Sequence, residues 1–231
     1  MNEAILPSVE LVTGPAPRLS IIWLHGLGAD GHDFEPIAVE LGLPFAARFV
    51  FPHAPVRPIT INQGLPMRAW FNVATLDRAG FEDVDGIRAS ARLVTALVDR
   101  ERASGFEAER IVLAGFSQGA ALALHAGLRY PDRLAGILAL SGFLVMADTL
   151  ASERHAANAA TPIFLAHGVD DPIVALRLAE ISLTRLLRLG YSPEWHTYPM
   201  GHAVCGPEIG DIARWLAAQA AGTAVNSSRS S

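Results

Sequence analysis

The chain has 231 residues, 51% of them hydrophobic and only 18% charged, with a formal net charge of −5. That length and composition suit one domain with a large core, and they exclude a largely disordered chain. With 18 basic residues and no Lys/Arg cluster to neutralise phosphates, a nucleic-acid partner is not expected.

Taken from the start, residues 1–14 carry Glu3 and Glu10 and no basic flank before an apolar run, so they do not read as a signal peptide. Residues 9–13 suggest an antiparallel edge strand. Short apolar runs follow at 19–24, 47–51, 110–114, 134–140, 162–166 and 193–198. Most are near-continuous rather than alternating, as expected for strands buried on both faces of a mostly parallel sheet. Helical patterns lie between them. Ile87, Ala91, Val94 and Val98 recur at helical spacing behind a cap at Asp83 or Asp85. Further helices are expected at 118–129, 172–189 and 207–221, with Pro172 and Pro207 in first turns, where no backbone N–H is needed. The alternation predicts a twisted α/β sheet with helices on both faces. It forms one domain over 1–220, and a tail at 221–231 ends in Asn-Ser-Ser-Arg-Ser-Ser. Residues 53–82 fit neither pattern: a long Pro- and Gly-rich segment holds Leu65, Met67, Trp70 and Phe71, too apolar for disorder. No apolar stretch reaches the ~20 residues that span a bilayer. The expectation is a soluble, cytoplasmic protein, which the single cysteine, Cys205, also fits.

The chemistry starts at Gly115-Phe116-Ser117-Gln118-Gly119, a G-x-S-x-G between a predicted strand and an Ala-rich predicted helix. The turn strains the serine backbone, and side chains at the glycine positions would collide with neighbouring elements. Ser117 Oγ is thereby pushed out at a helix N-terminus, where negative charge is favoured. Its base should follow an acid in the chain. His125 lies within the next helix, His155 in a polar segment, His167 before every good acid and His196 inside a strand. His202 remains, on a glycine turn just past the last strand, where α/β sheets place their sites. The acid is Asp170 or Asp171 after the strand at 162–166, and spacing leaves them equal, because an Asp before Pro172 is also a good helix cap. An oxyanion needs two N–H donors: one from Gln118, after the nucleophile, and one from the turn His25-Gly26-Leu27-Gly28, most directly Leu27. That turn matches neither a P-loop nor a regular dinucleotide fingerprint.

Together with Pro52-His53-Ala54-Pro55-Val56-Arg57-Pro58, Trp70-Phe71, His167-Gly168 before Asp171, and Gly201-His202, these pieces run from about residue 20 to 216. In that order they resemble the bacterial carboxylesterase and acyl-protein thioesterase family of small α/β hydrolases. The resemblance implies an α/β-hydrolase fold without a separate cap domain and a triad of Ser117, Asp171 and His202, with Leu27 and Gln118 as oxyanion donors. It selects Asp171, because the family pattern reads His-Gly-x-x-Asp. It also implies hydrolysis of carboxylic esters and acyl thioesters with no metal or organic cofactor, on a small-molecule or lipid-like acyl substrate; the sequence does not choose among small esters, lysophospholipids and acyl-protein thioesters. Asn72 departs from the pattern, which often has Asp there.

The rate is expected to rise with pH as a histidine base loses its proton. Leu65, Trp70 and Phe71 suit an apolar acyl channel over the serine and suit a satellite core equally well. Cys205 reads as a small buried residue, and no HExxH-like spacing marks a metal site. Two rival readings are a binding protein that has lost turnover and a serine peptidase on the same fold. The apolar loop also offers a surface for a homodimer.

Overall fold

The computed structural model describes residues 6–75 and 82–227. Seven strands form one sheet: β1 (Ser8–Val12), β2 (Leu19–Leu24), β3 (Ala47–Pro52), β6 (Ile111–Phe116), β7 (Gly136–Leu140), β8 (Ile163–Gly168) and β9 (Glu194–Tyr198). Their order is β1-β3-β2-β6-β7-β8-β9. Only β1 is antiparallel, paired with β3 at the edge, as its sequence suggested; the other pairs are parallel.

The period of two along each strand builds two cores. In β2, Ile22 and Leu24 enter the core on one face, while Leu19, Ile21 and Trp23 enter the core on the other. The first core is covered by α2 (Val84–Ala103), α3 (Gln118–Gly127) and α5 (Leu176–Arg188). The second lies under α1 (Ile37–Glu40) and α6 (Gly206–Ser227), which contributes Ile212, Trp215 and Leu216. Burial on both faces explains why the strands read as continuous apolar runs. A short α4 (Leu150–Glu153) and three 3₁₀ turns complete the helices among the described residues.

Several elements differ from the sequence reading. Within the stretch at 53–82, β4 (Val56–Ile59) and β5 (Leu65–Arg68) pair as a separate antiparallel hairpin. Pro58 and Pro66 face each other across it and hide the strand pattern, since a two-stranded ribbon tolerates prolines that a central strand does not. The fifth main helix begins at Leu176 rather than at Pro172, because Asp171 caps a separate turn first. α6 continues to Ser227, into the stretch assigned to the tail; residues 228–231 lie outside the described residues, as do 76–81 of the long loop.

The order of the sheet decides where the site sits. From β2 the chain moves outward to β3 and then returns to β6 on the other side of β2. The ends of two adjacent parallel strands with connections running opposite ways leave a crevice between them. Leu24 and Gly115 are in register at that point, so the loops after β2 and β6 open side by side.

Candidate active site

Ser117 sits between β6 and α3 with φ 55 and ψ −115, a left-handed conformation that a serine adopts only under constraint. The constraint comes from close packing of backbone at both motif glycines. A Cβ on Gly119 would lie 2.2 Å from the Leu24 carbonyl oxygen, and one on Gly115 would lie 2.3 Å from the Gly119 carbonyl carbon. With no side chains there, β6 and α3 close against the end of β2 and present Ser117 Oγ to the crevice.

His202 lies past β9 and reaches across to this serine: its Nε2 is 2.9 Å from Ser117 Oγ. Its other nitrogen, Nδ1, is 2.7 Å from Asp171 Oδ2. Because a carboxylate only accepts, Nδ1 carries the proton and Nε2 is left with a lone pair facing the hydroxyl. Phe116, inside the serine motif, packs against the His202 ring at 4.7 Å between centroids and limits its rotation. The loops of Asp171 and His202 are themselves joined, as Asp170 N–H donates to the Met200 carbonyl at 3.1 Å.

The two oxygens of Asp171 have different partners. Oδ2 faces His202, and Oδ1 accepts the N–H groups of Ile173 and Val174, each at 2.8 Å. Asp170 is exposed. The Asp171 side chain is fully buried, that of His202 is 15% exposed, and Ser117 is buried at the floor of the cleft.

Leu27 follows β2 beside the serine, and its N–H is unpartnered among the described residues. Gln118 is the first residue of α3, so its N–H has no acceptor within the helix. Both residues line the cleft with Ser117 and His202. The Gln118 side chain does something the sequence did not announce. Its Oε1 accepts the Trp70 N–H and its Nε2 donates to the Phe71 carbonyl, each at 2.7 Å, which straps the long loop to the serine helix.

The cleft holds about 450 Å³ and is walled mainly by Leu27, Phe34, Val73, Phe116, Ile173 and Val204. Asp33 is the charged residue on its wall. Leu65, Trp70 and Phe71 are not part of this wall. Leu65 stands 63% exposed on the hairpin, and Trp70 is fully buried with its indole N–H donated to the His25 carbonyl at 2.9 Å. Phe71 lines a neighbouring cavity of about 190 Å³, and Val73 belongs to the walls of both. His25 supports the same loop from below. Its Nδ1 donates to the Gly26 carbonyl and its Nε2 accepts the Ala54 N–H, so the ring is neutral; burial holds its pKa below the ordinary histidine value. The sequence carried no signal for Phe34, Ile173 or Val204, which come to the cleft from three different loops. Cys205 is half-buried, and no group of three or more potential metal ligands occurs among the described residues.

The residues that carry this geometry lie inside a larger match. A family model described as phospholipase/carboxylesterase covers residues 10–220. The chain belongs to the phospholipase/carboxylesterase family. Among curated members, acyl-protein thioesterase 1 of Gibberella zeae is 38% identical over 212 residues, covering 87% of this chain and 90% of that protein. The carboxylesterase SOBER1 of Arabidopsis thaliana is 34% identical, covering 86% and 90%. The SOBER1 crystal structure superposes with a TM-score of 0.82 over 87% of this chain and 98% of that one, at 33% identity. Zea mays acyl-protein thioesterase 2 gives 0.79 over 93% and 100%, at 30% identity. These relatives are fungal and plant proteins, whereas the motifs suggested bacterial ones; the family is the same. This member of the phospholipase/carboxylesterase family therefore has the α/β-hydrolase fold and is a hydrolase. No helix among the described residues is long and apolar enough to cross a membrane.

Proposed function

We propose that this hydrolase cleaves carboxylic esters and acyl thioesters by two-step acyl transfer, with Ser117 as nucleophile, His202 as general base and Asp171 as the acid that orients it. One observation carries the reading: a single imidazole spans Asp171 Oδ2 and Ser117 Oγ at 2.7 and 2.9 Å, with the lone pair on the serine side. In the first step Ser117 Oγ bonds to the acyl carbon and its proton passes to His202 Nε2. The oxyanion is held by the N–H groups of Leu27 and Gln118. Collapse breaks the bond to the alcohol or thiol, which leaves with the proton from His202. Water then repeats the sequence on the acyl-enzyme and regenerates Ser117.

The apolar walls of the cleft suit a lipid-like acyl ester, including lysophospholipids, and the acyl-protein thioesterase and carboxylesterase relatives support both thioester and ester chemistry. The test is active-site labelling with a fluorophosphonate, paired with a panel of esters and thioesters of increasing acyl length. Wild-type protein should be labelled and should turn over members of the panel, while Ser117→Ala should do neither. Folded wild-type protein that resists labelling and hydrolyses nothing would sink the reading in favour of a binding role.

A further inference from the structure

His167 stands directly behind the acid, at the end of β8, and is completely buried. Its Nε2 is 2.7 Å from the Val174 carbonyl oxygen and 3.4 Å from Asp171 Oδ2. Both are acceptors, so Nε2 carries the proton and the other ring nitrogen, Nδ1, keeps a lone pair with no partner among the described residues. The proton divides the ring's work. Val174 gives its N–H to Asp171 Oδ1 and receives the His167 N–H on its carbonyl, so the two peptide units that flank this one residue are both held. The carboxylate is then surrounded by four N–H groups. Ile173 and Val174 meet Oδ1, while His202 meets Oδ2 closely and His167 meets it at longer range.

We propose that His167 is a positioning residue: its Nε2–H fixes the 171–174 turn and thereby holds the Asp171 carboxylate in the direction that meets His202. This rests on the triad reading above and adds to it a residue that touches neither substrate nor reacting atom. A buried histidine that only filled space would need no donor at this atom. A second proton would also place an N–H on Nδ1 with no acceptor, so the ring works as a neutral donor. Burial holds its pKa below the ordinary value, against smaller opposing contributions from the Val174 carbonyl and the Asp171 and Glu180 carboxylates; the nearby His202 adds slightly to the lowering.

Three variants separate positioning from packing. His167→Gln carries an amide N–H to about the place of Nε2, His167→Asn stops short of Val174, and His167→Met fills the space without a donor. Each is first checked for folding by denaturation. Turnover of an acetyl ester, its pH profile and the far-downfield proton resonance of the His202 N–H bound to Asp171 are then measured. Loss of the donor is expected to lower kcat about 10- to 100-fold with KM nearly unchanged, the scale of a misaimed catalytic group. It should also move the acid limb of the pH profile to lower pH and shift or broaden the resonance. His167→Gln is expected to stay within about threefold of wild type. Glutamine and asparagine variants that lose activity alike, with the resonance unmoved, overturn the proposal, and so does a folded methionine variant with wild-type kcat. If the methionine variant does not fold, the other two decide. The resonance needs no turnover, so it reads the Asp171–His202 bond even if Ser117→Ala showed the hydrolase reading itself to be wrong.

Discussion

Trp70 is a sharp place to test how the long loop serves the site. Replacing it with phenylalanine keeps the backbone bonds from its N–H to Gln118 and from Ser90 to its carbonyl. What disappears is the indole N–H that the His25 carbonyl accepts at 2.9 Å, together with part of a fully buried ring. The orphaned carbonyl and lost hydrogen bond cost about 1–2 kcal/mol, and the vacated volume adds about 1 kcal/mol. Destabilisation of roughly 2–3 kcal/mol should therefore appear in urea denaturation. The His25 carbonyl immediately precedes the turn that carries the Leu27 N–H, so under the proposed mechanism loosening it weakens one oxyanion donor. Complete loss of such a donor costs about 10²–10³ in kcat, and a partial misaim should cost about tenfold. The oxyanion is the same for every acyl group, so kcat/KM for p-nitrophenyl acetate and octanoate should fall by a common factor. A loss that grows steeply with acyl length, at an unchanged acetate rate, would show that the indole belongs to an acyl channel and refute the argument.

Three other outcomes follow from the same geometry. Asp171→Asn keeps an oxygen for the Ile173 and Val174 N–H groups but turns a donor toward His202, so kcat should fall about 10³- to 10⁴-fold in a folded protein; retention of more than a tenth of the activity counts against Asp171 as the acid. Gly119→Ala forces a methyl within 2.2 Å of the Leu24 carbonyl oxygen, and a stability loss above about 4 kcal/mol, or no folded protein at all, is expected from denaturation and yield. Burial pushes the Glu208 carboxyl up from 4.5 to about 7, against its hydrogen bond from the Cys205 N–H. A raised carboxyl contributes stability below its unfolded value and loses it as pH rises through the folded one, so wild type should lose about 3 kcal/mol between pH 4.5 and 7 that Glu208→Gln does not lose. Parallel pH-stability curves for the two proteins would remove this account.

Much of this was legible because the sheet leaves a strong local signature. Continuous apolar runs gave the buried strands, and the strand-to-helix context around Ser117 gave the corner at which the hydroxyl projects. The hairpin escaped because Pro58 and Pro66 remove the alternation that marks a strand. Trp70 escaped for a different reason. In an irregular segment no period says which way a side chain points, and its apolar neighbours suit a cleft wall and a packed interior equally. Only the contact between residues 25 and 70, which are far apart in sequence, decides that the indole supports the turn after β2. The cleft walls behave likewise, since Phe34, Ile173 and Val204 meet there only because the sheet order brings their loops to one edge.

The sequence left Asp170 and Asp171 equal for a physical reason. A helix cap and a triad acid call for the same residue type, a short carboxylate at the end of a strand, so each role looked like an argument against the other. The two oxygens of Asp171 divide them: Oδ1 closes the turn ahead of α5, and Oδ2 faces His202. A carboxylate held at one oxygen by two backbone N–H groups has little freedom left at the other. The turn therefore aims Oδ2 at His202, and whatever stabilises the start of that turn also orients the imidazole. Stability and site geometry are coupled through one side chain here, so substitutions behind the turn should disturb the Asp171–His202 bond before they unfold the domain.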